Sequence, residues 1–141
     1  INNQPIDVFN FGKMERDFTY IDDLVLSIEK LAATPPNISK KNVKPTVDAM
    51  SPVAPWRVVN IGSSKPGNLM DFITEIENNL GKKAGKNFLE MQPGDVEKTF
   101  ADTRQLKSLI DFKPTTTIKD GVRAFIKWYL DYYQTNDGKI L

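Results

Sequence analysis

The chain has 141 residues, 40% hydrophobic and 26% charged, with 19 basic and 18 acidic side chains. That length supports one compact domain, or part of a larger one, and leaves no room for a two-domain enzyme. Neither Cys nor His occurs, which excludes disulfides, thiolate chemistry, Cys/His zinc sites and Ser-His-Asp catalysis.

A net charge of +1 carries no polyanion signature, so nucleic acid is not an expected partner. No apolar run approaches the roughly 20 residues that span a bilayer. The polar start Ile1–Pro5 lacks Met and a signal-peptide core. The expectation is a soluble, cytoplasmic protein whose chain here begins inside a longer polypeptide.

Ile6-Asp7-Val8-Phe9 alternates as a half-buried strand does. Asn10-Phe11-Gly12-Lys13 supplies a turn, with Gly12 free to take positive φ. Asp17 to Ile21 is β-branched and aromatic and predicts a second strand. Leu24, Val25, Ile28, Leu31 and Ala32 then form one stripe of a helix, with Asp22 or Asp23 as cap and Pro35-Pro36 as stop. Between Thr34 and Pro55 lie five of the nine prolines and little apolar periodicity, so a long loop is expected.

Arg57 to Gly62 predicts a strand entering the turn Ser63–Gly67. The next helix buries Leu69, Met70, Phe72, Ile73, Ile76 and Leu80, capped by Asn68 and closed by Gly81. Phe88 to Met91 predicts a short strand before the Pro93-Gly94 turn. Asp102 with Gln105 resembles a capping box ahead of Leu106, Leu109 and Ile110. Thr117 with Asp120 repeats it ahead of a longer helix with Ile118, Val122, Phe125, Ile126, Tyr129 and Tyr133 inward. Gln134 to Leu141 reads as a frayed tail. Strands alternate with amphipathic helices, so the class is α/β, α+β-like, with too few strands for a full doubly wound sheet.

Few residues here bear chemistry. No glycine pair has dinucleotide-fingerprint or P-loop spacing. Ile61-Gly62-Ser63-Ser64 follows an expected strand and precedes a helix, so its N–H groups could meet an anion, though a tight turn is the preferred reading. No Tyr is followed four residues later by a Lys able to lower its pKa; Tyr20 meets Leu24 and Tyr129 meets Tyr133. Tyr129, Tyr132 and Tyr133 beside Trp128 read as packing and surface residues. Asp22 and Asp23 lack a third oxygen ligand and suit a cap better than a metal. Arg16 precedes an extended apolar stretch, where its fork of donors would suit a diphosphate, although an exposed or ion-paired arginine is the simpler reading. Met91 to Asp95 reads as a β-turn with Pro at i+1 and Gly at i+2.

Arg16 to Asp23, Val59 to Gly62, Met91 to Val96, Phe100 to Asp102, and Gly121 ahead of an aromatic-rich helix form an ordered series. Over roughly 5–134 it resembles the C-terminal part of the extended short-chain dehydrogenase/reductase family of nucleotide-sugar epimerases and dehydratases, and is most like UDP-glucuronate 4-epimerases. The resemblance implies a small substrate-binding lobe over 1–134 with a Pro-rich loop at 34–55 and a tail at 135–141. It implies a partner Rossmann domain, outside these residues, that binds NAD and carries the Ser/Thr-Tyr-Lys set. Tyr there acts as base on the sugar 4-hydroxyl while hydride passes to NAD and returns to the other face of the 4-keto sugar.

By the same resemblance Arg16 is a ligand of the UDP-sugar diphosphate, and Asp95 bonds the ribose hydroxyls. Asp22 and Asp102 match structural, capping positions. Galactose-type epimerases carry an aromatic hydroxyl where Phe18 stands and an arginine where Gln92 stands, which leaves Gln92 as a neutral phosphate or ribose contact. Glu15 stands where relatives often have a basic residue. The implied full-length enzyme is a homodimer in polysaccharide biosynthesis, and this chain alone is expected to be inactive. A dehydratase or decarboxylase of the same family shares these motifs. A non-catalytic nucleotide- or protein-binding module is the alternative of another class.

Overall fold

A computed structural model describes residues 1–36, 51 and 53–133. Its elements in chain order are β1 Ile6–Val8, β2 Glu15–Arg16, α1 Ile21–Ala32, β3 Gly67–Asn68, α2 Leu69–Leu80, β4 Lys86–Phe88, α3 Arg104–Ile110 and α4 Ile118–Tyr133. This is a mixed α/β fold. The chain divides into two units, one of Ile1–Arg16, Pro66–Thr99 and Thr117–Leu141, the other of Asp17–Lys65 and Phe100–Thr116. Most of the expected proline-rich loop, and the expected tail, fall outside the described residues.

In the first unit, β1 pairs in parallel with β4, placing Ile6, Asp7 and Val8 opposite Lys86, Asn87 and Phe88. Between β1 and β2 the chain reverses through Asn10, Phe11 and Gly12, all left-handed, with φ of 49°, 51° and 79°. Gly12 takes its positive φ without strain, and a Cβ there would stand 2.7 Å from Met70 Sδ, so that side chain would have to shift. β2 pairs antiparallel with β3, Glu15 opposite Asn68 and Arg16 opposite Gly67.

α2 starts and ends where its sequence signals stand. Asn68 Oδ1 accepts from Met70 N–H at 2.7 Å, and Gly81 closes the helix at φ 64°. α4 begins at the expected box: Asp120 N–H donates to Thr117 Oγ1 at 3.1 Å, and that hydroxyl donates to Asp120 Oδ2 at 2.7 Å. Val8, Met14, Ile73, Val122 and Ile126 are buried and form the core of this unit. Phe125, expected inward, is half exposed and lies in a ring ladder with Trp128 and Tyr129; Tyr132 stacks on Trp128 at 5.6 Å. Phe125 lies three residues from both Val122 and Trp128, at the border of the buried face, and its ring packs on Trp128 and Tyr129.

In the second unit Ser27, Leu106, Thr103 and Pro114 are buried around α1 and α3. α1 departs from expectation. Tyr20 holds the N-cap position and no side chain caps the helix. Asp23 instead accepts from the N–H groups of Thr115 and Thr116 at 3.0 and 2.9 Å, so its carboxylate serves a distant loop. Val25 and Ile28 of the expected inward stripe are more than half exposed, and the buried line of the helix runs through Ser27 instead.

Three strand expectations are corrected. The strand expected at Asp17–Ile21 does not form, and Ile21 instead begins α1; of the strand expected at Arg57–Gly62 only Arg57 makes an isolated bridge, since β-branched and aromatic composition supplies no ladder by itself. The strand placed at Phe88–Met91 lies at Lys86–Phe88, in register with β1. At α3, Thr103 occupies the N-cap position and Asp102 stands one residue earlier, where its Oδ1 accepts from Arg104 N–H at 3.0 Å. Thr103 Oγ1 itself lies 2.6 Å from Ser64 Oγ.

Candidate functional site

Arg16 ends β2, so its backbone position is fixed by pairing with Gly67. Segment 97–99 runs along the other edge of the strand: Glu15 N–H donates to Glu97 O at 2.8 Å and Thr99 N–H to Glu15 O at 3.1 Å. An ion pair between Glu15 Oε2 and Lys98 Nζ at 2.5 Å ties the same two segments. The turn before them has the expected form. Asp95 N–H donates to Gln92 O at 3.2 Å, and Gly94 takes φ 84°, as position i+2 of a type II turn requires. Asp95 therefore projects from a braced turn.

These two braced positions bring Arg16 and Asp95 together. Arg16 Nη2 donates to Asp95 Oδ1 at 3.1 Å, while Nη1 donates to the carbonyls of Glu15 and Glu97 at 3.0 and 3.2 Å. Of the five N–H donors of a guanidinium, Nε–H and one on Nη2 make no hydrogen bond among the described residues. The side chains are 27% and 36% exposed, so solvent reaches the pair. Gln92 enters through its carbonyl only; its side chain is exposed and bonds no described residue. A cation with two spare donors beside a carboxylate can bind a molecule bearing anionic oxygens and hydroxyls. It holds no nucleophile and base in contact.

The turn Ile61-Gly62-Ser63-Ser64 does present N–H groups to an anion, and that anion is Asp17. Its carboxylate accepts from Ser63 N–H at 2.9 Å, Ser63 Oγ at 2.7 Å, Ser64 N–H at 3.0 Å and Ala101 N–H at 2.9 Å. Burial pushes the Asp17 pKa up, and the bonds from Ser63, Ala101 and Ser64 outweigh it, holding the group below 3.8. A Cβ on Gly62 would lie 2.5 Å from Ala101 Cβ, so the space above this glycine is filled by protein. The turn does not fit a dinucleotide phosphate. Sequence reading missed this clamp because its members are 46 and 84 residues apart.

Asp22 and Asp23 join no group of three metal-ligating side chains among the described residues. No described helix is long and apolar enough to cross a membrane. A surface hollow of about 490 Å³ is lined by Ala124, Lys127, Trp128, Asp131 and Tyr132, and by none of the three candidate ligands.

No protein-family model matches the chain. It is 49% identical over 134 residues to Protein CapI of Staphylococcus aureus, an alignment that takes in 95% of this chain and 40% of that protein. Against a probable UDP-glucuronate 4-epimerase of Rhizobium meliloti the identity is 44%, covering 94% of this chain and 39% of the relative. Among solved structures, UDP-glucuronic acid 4-epimerase from Bacillus cereus in complex with UDP-glucuronic acid and NAD superposes with a TM-score of 0.70 at 31% identity, over 93% of this chain and 37% of that one. The chain thus spans about two fifths of the length of the curated relatives it matches. Over nearly its whole length it is similar to a part of these UDP-glucuronate 4-epimerases.

Proposed function

We propose that this chain supplies the nucleotide-sugar-binding part of an NAD-dependent 4-epimerase acting on UDP-glucuronate or a related UDP-hexose. The observation that carries the reading is the meeting of Arg16 and Asp95 across 79 residues of sequence, a cation and a hydroxyl acceptor on one braced surface. In this reading the two unspent donors of Arg16 hold the diphosphate, Asp95 accepts from the ribose hydroxyls, and Gln92 adds a neutral contact. NAD and the groups that move hydride and proton belong to the Rossmann portion of the full-length enzyme, whose assembly into a homodimer in the cytoplasm is part of the same proposal.

The test is conversion. Full-length protein supplied with NAD and UDP-glucuronate is followed by proton NMR of the sugar ring. Appearance of the 4-epimer, with the carboxylate retained, supports the reading. Loss of carbon dioxide or of water from the sugar, or no change in it, overturns the epimerase assignment.

A further inference from the structure

We infer that Asp95 is the resident counter-ion of Arg16, displaced when a phosphate arrives, so that the site admits multiply charged anions and turns away single carboxylates. The inference rests on the reading of Arg16 as a phosphate ligand and concerns what selects among anions there.

The bonding around the guanidinium separates a fixed part from an exchangeable one. Nη1 is held by two backbone carbonyls, Glu15 O and Glu97 O, which belong to paired segments. Only Nη2 is given to a side chain. Asp95 can let go without disturbing its turn, because its backbone N–H is bonded to Gln92 O and a χ1 rotation moves the carboxylate alone. Oδ1 also accepts from Val96 N–H at 2.9 Å, so the rotation gives up that backbone bond together with the one to Arg16. Both side chains are about one third exposed, and an ion pair so placed is weak enough to exchange.

Competition then decides what binds. A free carboxylate offers Arg16 nothing that Asp95 lacks, and Asp95 has the advantage of tethering. A diphosphate brings more charge and more acceptor oxygens, and can take Nη2 and the unspent Nε together. The released carboxylate is an acceptor only, so it is then free for hydroxyl donors on the same ligand.

Calorimetric titration of the full chain with inorganic pyrophosphate and with acetate, at one ionic strength, tests this. The variants are Asp95→Asn, Arg16→Gln, and Glu97→Gln as a control that removes the same charge two residues away. Asp95→Asn is expected to bind pyrophosphate about two- to five-fold more tightly than wild type, the factor an exposed ion pair supplies, and to gain affinity for acetate. Glu97→Gln is expected to gain less than either. Equal gains in Asp95→Asn and Glu97→Gln overturn the exchange, while weaker binding by Arg16→Gln preserves the phosphate reading. Pyrophosphate bound equally by Arg16→Gln and wild type overturns both. Should Asp95→Asn not fold, a crystal of the wild-type chain soaked in pyrophosphate decides: an Arg16–Asp95 bond still in place overturns the exchange, and a parted pair supports it.

Discussion

Arg16 Nη2 and Asp95 Oδ1 lie 3.1 Å apart and form an ion pair, although they stand 79 positions apart in sequence. Their pairing satisfies each in the free chain and still leaves two guanidinium donors unspent.

Replacing Arg16 by Ala in the full-length enzyme is expected to raise KM and leave kcat nearly unchanged. The diphosphate is remote from the reacting carbon, so its contacts are equal in ground and transition states. One charge-assisted arginine contact contributes about 1.5–3 kcal/mol, which corresponds to a KM roughly 10- to 150-fold higher. Steady-state kinetics over a range of UDP-sugar concentration checks this, and an unchanged KM removes Arg16 from the binding site.

Asp17→Asn tests the clamp on the 61–64 turn. Asn keeps one acceptor oxygen but turns an NH₂ group toward N–H donors, leaving part of the set Ser63, Ser64 and Ala101 unsatisfied. The expected cost is about 1–3 kcal/mol, read as a lower urea midpoint with an unchanged slope. The folded pKa is depressed below 3.8, so the stabilisation is present above pH 3.8 and is lost as pH falls through the lower folded value. Wild type should therefore lose stability in that acid range faster than the variant does.

Glu77 joins the end of α2 to β4. It is 6% exposed and pairs with Lys86 and, at 2.9 Å, with Lys83, while Ala84 N–H donates to it at 3.0 Å. Hydrogen bonding to Lys86 foremost, then to Lys83 and Ala84, lowers its pKa from 4.5 to about 2. The sign follows from the depression: the contribution is whole above pH 4.5 and is lost as pH falls toward 2. Glu77→Gln is expected to melt lower than wild type at neutral pH, and the two melting temperatures should converge as the buffer is taken from pH 4.5 toward 2. Parallel melting curves across that range would show that the charge of Glu77 contributes nothing.

Local signals were legible, and signals that depend on distant partners were not. Asn68, Gly81, Thr117 with Asp120, and the Pro93-Gly94 turn act within four residues, and each stands where its residue types require. Asp23 carries the same chemistry as a cap, yet the backbone of Thr115 and Thr116 claims it from 92 residues away. Val58 and Val59 have the β-branched composition of a strand, but among the described residues 58–62 join no ladder. The Arg16–Asp95 pair is an intermediate case: the resemblance pointed to both residues, while their contact depends on the pairing of β2 with segment 97–99.

Gly62 offers the most local test of the packing in its unit. Its backbone needs no unusual φ, so an Ala there would suffer from contact alone. The added Cβ would meet Ala101 Cβ at 2.5 Å and Asp17 Oδ2 at 3.1 Å, forcing apart two segments that share the Asp17 carboxylate. Overpacking of this kind costs about 1–3 kcal/mol. The clash is with one methyl group, so Ala101→Gly should relieve most of it. The double variant Gly62→Ala, Ala101→Gly is then expected to unfold at a higher urea concentration than Gly62→Ala alone, despite the added glycine. A double variant no more stable than that single one would mean that the penalty arises from the backbone of the turn and not from its contact with Ala101.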